Sequence, residues 1–125
     1  MKRRCRKSPT AEQQRHQDAQ RAHGCAMCHL RGNGQAGATE IHHLTTGDLH
    51  GQKQRGQDFT VGLCSWCHRG IPMPFCQERD MRRIHGPSFA LHKKSFMDEL
   101  WRKLGERSME ALMRYQNSRI ERRAA

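Results

Sequence analysis

Two Cys-x-x-Cys pairs, Cys25/Cys28 and Cys64/Cys67, restrict this chain more than any other feature. Four thiolates saturate a tetrahedral zinc ion and leave no open position, so a site closed by both pairs is structural. Closing it also ties a long loop at both ends. That loop carries His42 and His43, and the second pair runs directly into His68. Clamping the sulfurs therefore draws three imidazoles together across a long sequence separation, and a second site, open to chemistry, is the expectation.

Folding should depend on the metal. Of 125 residues only 34% are hydrophobic and 6% aromatic, which leaves a thin core for a single domain. Zinc ligation in small domains contributes roughly 10 kcal/mol or more of apparent folding free energy, enough to exceed an ordinary domain's net stability. Six cysteines, mostly in C-x-x-C pairs, favour metal over disulfides in a reducing compartment. The N-terminus is basic without the apolar segment of a signal peptide, and no apolar run approaches the ~18 residues of a membrane helix. A cytoplasmic chain with no membrane partner is the reading.

A net charge of +11, from 23 Lys and Arg against 12 Asp and Glu, makes a polyanion the leading partner, and nucleic acid is the commonest. Residues 1–8 read as a disordered basic arm in which Lys2, Arg3, Arg4, Arg6 and Lys7 can order against phosphates. Cys5 and Cys76 receive no role.

Thr10 with Gln13 signals a capping box, predicting a helix over 11–23 whose faces are almost all polar. His16 and His23 read as surface residues. Residues 24–32 form the first knuckle, and Gly32, Gly34 and Gly37 mark a loop. Strands follow at 38–44 and 59–63, separated by a long loop, and a short helix starts at the second knuckle. Successive strand side chains point to opposite faces, so His42 and His43 cannot do the same job. Trp66 should pack under the knuckle. The whole divides into the arm at 1–8, an N-terminal helix and zinc-stabilised core at 9–70, a linker at 71–87 and a helical part at 88–125. Ser88 is the expected cap of a helix to Leu104 with Phe89, Phe96, Leu100 and Leu104 on one face; Ser108 opens a last helix with Met109, Leu112, Met113 and Ile120 as its stripe.

The order C-x-x-C, then E-I-H-H-L, then L-C-S-W-C-H resembles the HNH nuclease motif on a ββα-metal fold. More closely, E-I-H-H-L-T-T-G with L-H-G, Q-R-G, L-C-S-W-C-H-R-G and H-G-P-S resembles the phage-encoded Ref family of RecA-dependent nucleases, over roughly residues 10–120. The resemblance implies a small α+β fold: a zinc-knuckle-stabilised HNH ββα-metal core with flanking helices. It implies that His43 is the general base and that His42 and His68 hold a catalytic divalent cation, Mg2+ or Mn2+ in the first place and Zn2+ as a further option. Partners so implied are DNA and a RecA filament, in a bacterial host, for a phage or prophage recombination role.

The pattern departs from the wider family at Phe59, where an Asn is expected, with Gln57 and Asp58 nearby, and at Pro72, which cannot ligate where some relatives carry another ligand. His50 is the candidate third ligand. Lys53, Arg55 and Arg69 are the candidate DNA contacts. The same histidines could instead be extra zinc ligands or polar residues beside a knuckle. The rival functions are a non-catalytic zinc-dependent DNA-binding module and a zinc-stabilised adaptor, neither of which needs a general base.

Overall fold

The computed structural model describes residues 7–49 and 52–124. Within them the chain runs α1 (Ala11–His23), α2 (Ala26–Arg31), β1 (Thr39–His43), a 3-10 turn at Thr46–Asp48, β2 (Thr60–Cys64), α3 (Ser65–Arg69), α4 (Glu78–His85), α5 (Lys93–Leu104) and α6 (Met109–Ala124). This is a small α+β architecture with one two-stranded sheet. No helix in it is long and apolar enough to cross a membrane.

The capping box forms as the sequence signals. Thr10 Oγ1 accepts from Gln13 N at 3.2 Å, and Gln13 Oε1 accepts from Thr10 N at 2.9 Å. α1 ends at Gly24, whose φ of 100° lies where an L side chain is strained.

β1 and β2 are antiparallel, from Thr39 opposite Cys64 to His43 opposite Thr60. Hydrogen bonds from Leu44 N to Phe59 O and from Ser65 N to Ala38 O set the phase of the ladder, so Thr60 and Gly62 turn their backbone groups away from β1. Two buried glutamines satisfy that outer edge. Gln20 Nε2 of α1 donates to Thr60 O at 2.7 Å, while Gly62 N donates to Gln116 Oε1 of α6 at 2.7 Å. Gln116 Nε2 also donates to Gly24 O at 2.8 Å. A Cβ at position 62 would sit 2.9 Å from Gln20 O, so glycine permits both helices to close on the strand. This is how α1, polar on nearly every face, docks: amides and not an apolar stripe hold it.

The apolar core gathers Met27, Leu44, Leu63, Trp66, Phe96, Leu100, Met109 and Leu112. Trp66 packs as expected, and its indole N–H donates to Gly86 O at 2.9 Å. α5 and α6 bury the expected stripes at Phe96, Leu100, Met109, Leu112 and Met113.

Three expectations are corrected. The 71–87 span contains α4, which is anchored by one buried residue, Met81. α5 begins at Lys93 and not at Ser88; Ser88 Oγ instead accepts from Leu91 N in a turn before the helix. His23 is buried at the end of α1, where its ring meets Gln116.

Candidate functional site

The same local fold occurs twice around the cysteines. α2 and α3 each start on a cysteine whose sulfur caps the helix: Cys25 Sγ accepts from Cys28 N at 3.4 Å and Cys64 Sγ from Cys67 N at 3.5 Å. Left-handed Gly32 and Gly70 end the two short helices. The four sulfurs are buried and lie within 4.8 Å of one another, with Cys28 Sγ 3.8 Å from Cys64 Sγ and 3.9 Å from Cys67 Sγ. A zinc ion bonded at ~2.3 Å to four tetrahedral sulfurs would hold them about 3.8 Å apart. The cluster therefore fits a metal such as zinc. Burial pushes the Cys25 thiol up, so a thiolate at this position calls for a cation beside it.

Arg31 supplies positive charge beside this cluster. Its side chain is buried, donates to Cys67 Sγ at 3.5 Å, and pairs with both carboxylate oxygens of Glu99 on α5. The same guanidinium reaches His85 O and Pro87 O. One residue of the first knuckle thus ties α4 and α5 to the cysteine cluster.

The histidines lie around a cleft of about 550 Å³ whose lining includes His42, His43, His68, Arg69 and Phe89. Strand alternation sorts them. Glu40 and His42 share one face of β1, and both meet His68 at the second knuckle. The His42 and His68 rings are 5.0 Å apart, and Glu40 Oε1 accepts from His68 Nδ1 at 2.9 Å. With its proton on Nδ1, His68 presents the lone pair of Nε2. Arg69 pairs with both oxygens of Glu40 and holds that carboxyl below its ordinary range, with His68 adding to the effect. Burial, then the neighbouring His68 and His43, pushes His42 down from 6.5 to about 3. Its imidazole is therefore neutral at physiological pH, the state in which it can ligate a metal.

His43 is held from another side. Its Nε2 lies 3.0 Å from Gln57 Oε1. The Gln57 amide is oriented by its neighbours, because its Nε2 donates to Lys7 O at 2.6 Å and its Oε1 accepts from Gln17 Nε2 at 2.9 Å. The oxygen therefore faces His43, Nε2 carries the proton, and Nδ1 is the unprotonated nitrogen.

The family model described as recombination enhancement, RecA-dependent nuclease matches residues 9–118. The chain belongs to that family. No curated protein and no solved structure gives a significant match. Since a RecA-dependent nuclease acts with RecA, DNA and RecA are its implied partners.

Among the described residues the four cysteines form the one cluster of three or more close metal-ligating side chains, and His42 and His68 are not part of such a cluster there. His50 lies outside the described residues, as do Lys2, Arg3, Arg4, Cys5 and Arg6. Lys53 is exposed. Arg55 pairs with Glu110 at 3.2 Å and stacks over Phe59, and Arg69 lines the cleft while paired with Glu40.

Sequence reasoning missed Glu40, the orienting role of Gln57, and Arg31. Glu40 carried a signal: it stands two residues before His42 on a strand and so shares its face. For Arg31, the last residue of a six-residue helix, the sequence holds no such cue.

Proposed function

We propose that this RecA-dependent nuclease is a divalent-metal-dependent DNA endonuclease of HNH type that hydrolyses phosphodiester bonds, with a structural zinc on Cys25, Cys28, Cys64 and Cys67. The observation that carries the reading is the division of labour around one cleft. His42 and His68 sit together with Glu40 behind them, while His43 is oriented separately by Gln57.

His43 is the general base: with its proton held on Nε2 toward Gln57, Nδ1 can take a proton from the attacking water. His42 and His68 would hold the cation, since one is kept neutral by burial and the other is turned by a carboxylate, the usual arrangement behind a metal-bound imidazole. A cation held by His42 and His68 would supply Lewis acidity at the scissile phosphate and positive charge for the departing 3′ oxygen. Two imidazoles suit Mn2+ or Zn2+, whereas Mg2+ would draw most of its shell from water and phosphate. Arg69, Lys53, Arg55 and the basic arm contact phosphates, and His50 is the proposed third ligand. A phage or prophage recombination role in a bacterial cytoplasm completes the proposal.

Nicking of plasmid DNA, with Mg2+ or Mn2+ against no added cation and with or without RecA and ATP, tests the reading. Cleavage that requires both the cation and the RecA filament is the expected result. Tight DNA binding with no cleavage under any of these conditions would leave a binding module in its place.

A further inference from the structure

A second hollow, of about 270 Å³, shares no lining residue with the histidine cleft. His23 at the end of α1, His29 on α2, and Arg119, Arg122 and Arg123 on the last turns of α6 form its walls. The three arginines are spaced so that α6 brings them to one side. All three are exposed, and among the described residues no carboxylate pairs with any of them. Arg21, Arg31, Arg55, Arg69 and Arg114, by contrast, each have an acidic partner.

The opposite wall is flat and fixed. The His23 and His29 rings stack at 4.2 Å and 26°. His29 Nε2 donates to His23 O at 2.7 Å, and the Gln116 amide donates to His23 Nδ1 at 3.2 Å. Because Gln116 is also tied to Gly62 and Gly24, the arginine-bearing helix and the imidazole wall are registered against the same strand.

Guanidinium forks remain charged at any physiological pH and match phosphate oxygens in pairs. A cationic hollow beside an aromatic face is the combination that holds a nucleic-acid strand, with phosphate on the cations and base against the ring. We infer that this hollow is a second DNA-binding site, gripping a backbone phosphate on Arg119, Arg122 and Arg123 away from the cleft in which the strand is cut. The inference rests on the DNA-nuclease reading. An acidic protein surface is the competing occupant; the stacked imidazoles beside the arginines favour a nucleic acid, whose bases can pack on a ring.

The test is a salt titration of binding to a labelled DNA duplex, performed in a His43→Ala background so that cleavage does not intervene. Adding Arg119→Gln, Arg122→Gln and Arg123→Gln should weaken binding roughly tenfold at low salt and lower the slope of log K against log salt by about 0.9 for each phosphate that the protein no longer neutralises. Arg122→Gln alone should move both quantities in the same direction. The same three substitutions with His43 intact should raise the DNA concentration needed for half-maximal cleavage. A control with Arg79→Gln, Arg82→Gln and Arg83→Gln removes equal charge from α4. An equal weakening in that control, or an unchanged slope in the α6 variant, would overturn the second site while leaving the nuclease reading intact. No DNA binding by the His43→Ala parent would instead remove the reading itself.

Discussion

Glu40 Oε1 and His68 Nδ1 are 2.9 Å apart, joining the first strand of the sheet to the helix that carries the second cysteine pair. The hydrogen bond fixes the ring of His68 and its tautomer, so the lone pair available to a cation is set by a residue that need not touch the cation. Arg69 in turn holds the Glu40 carboxylate in its ionised form.

Removing this support should loosen the cation without unfolding the protein. Glu40→Ala is expected to weaken Mn2+ binding by about 10- to 100-fold, the usual effect of removing the partner of a ligating histidine. Calorimetric titration of Mn2+ into zinc-loaded parent and variant measures it. Equal affinities would mean that His68 is not a ligand.

The cysteine cluster makes a separate demand. Cys64→Ser should lose tight zinc and cooperative folding together, because serine can still cap α3 but takes away one of the four sulfurs that would hold the zinc. Zinc analysis paired with circular dichroism melts decides this. A variant with full zinc content and an unchanged transition would remove the structural-zinc assignment.

Much of this arrangement is legible in the sequence. Thr10 and Gln13 mark the start of α1 because the capping box is a local device, and the two C-x-x-C pairs mark the knuckles because ligand spacing is local too. α4 is hidden in the sequence because it buries only Met81, and one apolar residue makes no period. Ser88 misplaces the start of α5 because it does accept a backbone N–H, but in a turn that precedes the helix. At the site, the histidines stand out by residue type. The orienting role of Gln57 becomes visible only once α1 and the segment after the long loop have packed together, since its amide is set by Gln17 and Lys7.

The buried glutamines lead to a stability prediction. Gln116→Leu keeps the volume but leaves Gly62 N and Gly24 O without their partner. Unmet buried backbone groups of this kind should cost about 3 kcal/mol in total, read as a lower midpoint in urea unfolding. A change within a few tenths of a kcal/mol would show that water replaces the amide.

His42 should make stability depend on pH. Its folded value, about 3, lies below its ordinary 6.5, so between these limits the unfolded chain binds more protons. Stability therefore rises with pH across that window and is lost as pH falls from 6.5 toward 3. Between about pH 7 and pH 5 the contribution is on the order of 2 kcal/mol. Comparing urea midpoints at the two values for the parent and His42→Leu isolates it: the variant should lose less stability than the parent on acidification. Equal losses would place His42 in an environment that tolerates its charge.

In the proposed mechanism His43 activates water while other groups bind DNA and cation. This assignment is tested most directly by single-turnover cleavage of RecA-bound DNA by parent and His43→Ala, with DNA affinity measured in parallel. Removing the general base should lower the rate by about 10²- to 10⁴-fold and leave affinity nearly unchanged, since affinity comes from phosphate contacts. Undiminished cleavage by a folded His43→Ala protein would contradict the account and turn attention to another base in the cleft.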